Sequence, residues 1–86
     1  MTTRTMIPTK TLETFEAGPF RANLIRESYD PVMNSESRLW SVDVWKGYFK
    51  QGWVSKAFIE EDEARAHFVK IQDKLILKTA MLALNL

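Results

Sequence analysis

From Trp53 to Leu86 the chain contains neither glycine nor proline, and from Glu60 onward its apolar residues fall at helical intervals. Ala64, Phe68, Ile71 and Leu75 recur at i, i+4, i+7 and i+11, one stripe of a helix with 3.6 residues per turn. The opening run Glu60-Glu61-Asp62-Glu63 suits the positive end of a helix dipole. No breaker stops this helix before the low 80s. A helix with one apolar stripe needs a flat apolar surface beneath it, and the preceding residues have to supply that surface.

They read as strands. Phe20 to Tyr29 opens with Phe20, Ala22 and Leu24 alternating with Arg21 and Asn23, the period of a half-buried strand. Asp30-Pro31 and Asn34-Ser35 mark the loop that follows. Leu39 to Phe49, rich in Trp and Val, is the second strand. Gln51-Gly52 is the expected hairpin turn, and Trp53 to Ile59 is the third strand. The expected fold is α+β: a three-stranded antiparallel β-meander packed by a long C-terminal amphipathic helix. A short N-terminal helix over Thr11 to Ala17, stopped by Gly18-Pro19, is expected before it. Residues 1–11, with five threonines and Pro8, read as a flexible tail. The order of strands and helix resembles that of WGR-type domains. The tripeptide that defines those domains is missing, so nothing of their function is carried over.

The 86 residues make one small domain, 1–86, with no cysteine and one histidine. Disulfides and thiolate or multi-histidine metal sites are thereby excluded. A domain this small with no staple needs efficient packing or a partner.

All three tryptophans lie in the segment from Leu39 to Val54. A bulge at Gly47 would pair Val44 with Phe58 and Val42 with Glu60. One face then carries Trp40, Val42, Val44, Phe49, Val54 and Phe58, for the helix to cover. Lys46 and Lys56 fall on that face and must reach past the helix edge. The other face carries Trp45, Tyr48, Lys50, Trp53, Ser55 and Ala57. Trp45, Tyr48, Lys50 and Trp53 are the candidate partner-binding residues, since large aromatics beside a cation make hot spots for protein or stacking platforms for nucleic acid. The bland alternative is that residues 1–17 fold over them. Arg21, Arg26, Arg38, Lys46, Lys50 and Lys56 could add a local basic patch, but a net charge of +1 argues against nucleic acid.

Beyond Leu75 the helix turns apolar on nearly every side. Leu75, Thr79 and Leu82 continue the inner stripe, whereas Ile76, Ala80, Ala83 and Leu84 lie outside it. A helix apolar all round is buried all round, and one small sheet cannot cover two faces. Ile76, Ala80, Ala83 and Leu84 are therefore the expected self-association surface, with a symmetric dimer the commonest closure. A different protein partner, or cover by the N-terminal helix through Leu12 and Phe15, are the alternatives.

Catalytic chemistry finds little footing. His67 stands four residues after Glu63, a spacing more typical of a surface ion pair than of a dyad. The acidic run lacks the alternating ligands and central glycine of a calcium loop. Gly18, Gly47 and Gly52 are too scattered for a phosphate loop. No catalytic residue, metal or cofactor is expected. The N-terminus has no secretory pattern, and the longest apolar tract, Ala80 to Leu84, is too short to span a bilayer. A cytoplasmic setting without membrane contact is expected. The functional expectation is a small non-enzymatic protein-interaction module, an accessory subunit or a small inhibitor, that binds a protein partner and forms a homodimer. The alternative is a nucleic-acid-binding domain using the aromatic and basic sheet face.

Overall fold

The computed structural model describes residues 6–30, 39–52 and 54–84. It is an α+β fold in two layers, an antiparallel sheet under one C-terminal helix. The strands are β1 (Lys10–Ala17), β2 (Phe20–Arg26), β3 (Trp40–Lys46), β4 (Phe49–Lys50) and β5 (Lys56–Phe58), and α1 (Glu61–Leu84) follows. The order across the sheet is β1-β2-β3, with β4 and β5 both pairing β3. They lie end to end as one broken edge strand: β4 pairs Trp45 and Lys46, while β5 pairs Trp40, Ser41 and Val42.

The sheet thus has more strands than the expected three. The extra one is β1, where a short helix was expected. Thr11 to Ala17 pairs with β2 from Thr11↔Ile25 to Ala17↔Phe20. The two-residue turn Gly18-Pro19 closes this hairpin, with Gly18 at φ +55°, the positive φ that a tight hairpin wants at its first central position. Within the expected tail, Ile7 and Thr9 bond to the chain that follows β2. Ile7 and Tyr29 exchange both backbone hydrogen bonds, at 2.8 and 3.0 Å, and Thr9 Oγ1 accepts the Ser28 amide at 3.1 Å.

The long second strand is also corrected. β3 stops at Lys46, and Gly47-Tyr48 is a turn, with Gly47 at φ +62°. Gly47 reverses the chain where a bulge was expected. The pairing becomes Trp40↔Phe58 and Val42↔Lys56, not Val44 with Phe58 or Val42 with Glu60. Between β4 and β5 the regular ladder is interrupted, and the Gln51 amide donates to the Val44 carbonyl at 2.7 Å. The Ser55 hydroxyl fills the gap in the ladder: it accepts the Val44 amide at 3.1 Å and donates to the Gln51 carbonyl at 3.0 Å. The expected third strand from Trp53 shrinks to β5, and Trp53 itself lies outside the described residues.

The core joins Phe20, Ala22 and Leu24 of β2, Val42 and Val44 of β3, Val54, and the stripe Ala64, Phe68, Ile71 and Leu75 of α1. The expected stripe is therefore the buried one. Leu12, Phe15, Ala17, Trp40 and Phe58 pack around it. Phe49 does not join them and is 76 % exposed, because the two-residue β4 carries it beyond the helix. Lys46 and Lys56 do reach past the core, their Nζ atoms 5.9 Å and 5.7 Å from the ring centroids of Phe20 and Phe58.

Helix α1 crosses the sheet obliquely. Near its start His67 donates through Nε2 to the Val54 carbonyl at 3.0 Å and packs its ring on Phe58. Further along, Thr79 donates to the Ala17 carbonyl at 3.1 Å, beside the β1–β2 turn. Arg65 lies 3.8 Å from Glu13 of β1 and 3.7 Å from Glu61.

Candidate interaction surfaces

The helix has 24 residues, or about 36 Å at 1.5 Å per residue. Its last tertiary anchor among the described residues is Thr79, at the sheet's end. Ala80 to Leu84 therefore run past the hairpin into solvent and are exposed throughout. Leu82 was expected to continue the inner stripe. It points the right way, but among the described residues no strand lies beneath it.

The four expected self-association residues, Ile76, Ala80, Ala83 and Leu84, are all exposed, Leu84 at 86 %. The structure divides them between two flanks. At 100° per residue, Val69, Ile76, Ala80 and Ala83 lie roughly 90–150° round from the core stripe. Arg65 and Thr79 reach β1 from that same flank. Leu84 lies on the opposite flank with Leu77 and Met81, where Lys74, Leu77, Lys78, Met81, Leu82 and Leu84 line an open groove of about 600 Å³. Periodicity alone does not single out Val69, Leu77 and Met81. Their signal is present, since none matches the core stripe, yet an N-terminal helix of the expected kind could cover each of them. That cover does not exist: Leu12 and Phe15 sit in β1, at the sheet's edge.

The second surface is the sheet face opposite the helix. Cross-strand partners share a face, so Arg21, Trp45 and Lys50 form one row with Glu16, and Thr14, Asn23 and Asp43 form the next. Trp45 is half-buried, Lys50 is exposed, and Tyr48 stands at the β3–β4 turn with 97 % of its surface free. Arg21, Asn23, Trp45, Gly47 and Tyr48 line a shallow basin of about 530 Å³. Three of the four expected partner-binding residues are thus placed near this face or its tip, and Trp53 lies outside the described residues. Arg21 and Asn23 were not singled out as a site, because only pairing of β2 to β3 brings them beside Trp45. Residues 7–17 do not fold over this face, since they belong to the sheet edge. The cations here are already matched, Arg21 to Glu16 at 3.1 Å and Lys50 to Asp43 at 3.5 Å.

Among the described residues, no three His, Asp or Glu side chains gather as a metal site. His67 is turned to Val54, not to Glu63, and Glu61, Asp62 and Glu63 of the acidic run lie in the first helical turn. No described helix is long and apolar enough to cross a membrane. No family model, curated protein or solved structure matches the chain.

Proposed function

We propose that the chain is a small non-enzymatic protein-interaction module that pairs with a second copy of itself through its C-terminal helix, α1. Such a module serves as an accessory subunit or as an inhibitor that covers a target's surface. The observation that carries this reading is the helix that outruns its sheet at Thr79 with apolar residues on every side.

Two properties favour a second copy as the occupant. The first is charge. Glu61 to Phe68 holds three acids against Arg65, and Val69 to Leu84 holds three lysines against Asp73. Antiparallel helices related by a two-fold axis set each acidic half beside a basic half, which steers the approach and fixes its direction. The second is apolar surface. On the β1 flank Val69 and Ile76 are 56 % and 54 % exposed, with Ala80 and Ala83 exposed beside them, an apolar strip that the same strip of a second copy would cover.

Paired substitution of Ile76→Glu and Leu84→Glu tests the reading by sedimentation velocity. Both side chains are exposed, so the variant keeps its fold by circular dichroism and sediments as a monomer where the unaltered chain is a dimer. Identical sedimentation of the two proteins contradicts the proposal. The aromatic face then remains for a protein partner. Nucleic acid is the weaker reading, because Arg21 and Lys50 are neutralised within the chain. Salt-sensitive binding of a labelled oligonucleotide, lost on Trp45→Ala, would reinstate it.

A further inference from the structure

We infer that the second copy docks along the free edge of β1, so that two sheets join strand to strand across a two-fold axis with both helices on one side. The inference rests on the self-association reading and supplies its geometry.

β1 has β2 on one side and, among the described residues, no strand on the other. An eight-residue edge is a template for another strand unless something blunts it. The opposite edge is blunted, being broken into β4 and β5. β1 is irregular only near Leu12, where the register slips between Thr11 and Glu13. Glu13 to Ala17 is regular.

The register of a symmetric pairing follows from the hairpin. Ala17↔Phe20 flanks a two-residue turn, and the pair flanking such a turn is hydrogen-bonded, with bonds alternating from there. Phe15 and Ala17 thus aim their backbone groups at β2, while Thr14 and Glu16 aim theirs outward. An antiparallel partner must use those outward groups. Thr14 then pairs with the partner's Glu16, and Phe15 meets the partner's Phe15 on the axis. This register sets no like charges opposite one another. Centring on Glu13 would oppose two acids, and centring on Thr14 would set Glu13 against the partner's Phe15.

Three observations fit this arrangement. Phe15 is half-buried on the helix side of the sheet, and a ring pair across the axis would complete its burial. The acids of this segment are already held within the chain, Glu16 by Arg21 and Glu13 by Arg65, so they add little repulsion. The exposed stripe Val69, Ile76, Ala80 and Ala83 lies on the β1 flank of the helix, so the same axis turns both copies of it toward the groove floored by the two Phe15 rings.

The chain has no native cysteine, so a single introduced thiol reports on one contact. Phe15→Cys should give a covalent dimer on mild oxidation of most chains, and Tyr48→Cys, at the far edge, should not. Thr14→Pro removes an outward N–H without touching the β1–β2 ladder, and should weaken dimerisation at least tenfold with circular dichroism unchanged. Thr14→Val, which keeps the N–H, should not. A dimer that survives Thr14→Pro and gives no Phe15→Cys cross-link overturns the β1 geometry and leaves self-association standing. A chain that stays monomeric overturns both. If Thr14→Pro unfolds the protein, the cross-link alone decides.

Discussion

Replacing Gly18 with alanine probes how tightly the C-terminal helix clamps the first hairpin. Gly18 sits at φ +55°, and a Cβ there would lie 2.7 Å from Thr79 Cγ2 and 3.1 Å from Thr79 Oγ1. Two costs combine. An L-residue at this φ costs about 1–2 kcal/mol. Thr79 must also swing aside, giving up its hydrogen bond to the Ala17 carbonyl, a net loss of about 1 kcal/mol. Gly18→Ala should therefore destabilise the fold by about 2–3 kcal/mol. Gly47 is an internal control, at φ +62° with nothing within 4 Å of where a methyl group would stand; Gly47→Ala should cost only the conformational share, about 1–2 kcal/mol. Urea unfolding of both variants at one fixed concentration gives the difference. Repeating Gly18→Ala in a Thr79→Ser background, which removes the methyl group, should shrink the excess. Equal costs for the two glycines, or an excess untouched by Thr79→Ser, would refute the clamp.

Other substitutions test the rest of the frame. Ile71→Ala empties a fully buried site under the helix and should cost about 2–5 kcal/mol in chemical denaturation. Ser55→Ala leaves the Val44 amide without its acceptor and should cost about 1–3 kcal/mol, with faster hydrogen exchange at Val44. Tyr48→Ala, at a side chain almost wholly in water, should change stability by less than about 0.5 kcal/mol.

The helix was legible because its signal is local and uninterrupted. Ala64, Phe68, Ile71 and Leu75 repeat without a breaker, and the structure buries those residues. β1 was misread for a physical reason. Its register slips between Thr11 and Glu13, so the inward-leaning Leu12 and Phe15 stand three residues apart, a spacing that belongs to helices. A bulge can thus imitate a helical turn when the segment is short. The edge beside β3 was misread because Gly47-Tyr48 and Gln51-Gly52 offer two turns close together. Positive φ at Gly47 settles the reversal, and Ser55 repairs the ladder afterwards, a side-chain role that no periodicity announces.

The candidate surfaces divide in the same way. Ile76, Ala80, Ala83 and Leu84 were legible as surplus, since apolar residues all round a helix exceed what one sheet can cover. Their division between two flanks depends on where β1 lies. Arg21 and Asn23 become neighbours of Trp45 only through the β2–β3 register. The free β1 edge could not be read while Thr11 to Ala17 passed for a helix.

Self-association through α1 is tested most directly by sedimentation equilibrium of the unaltered chain over a wide concentration range. The weight-average mass should rise from the 10.0 kDa of one chain toward twice that value. A mass that stays at 10.0 kDa at the highest concentrations would contradict it.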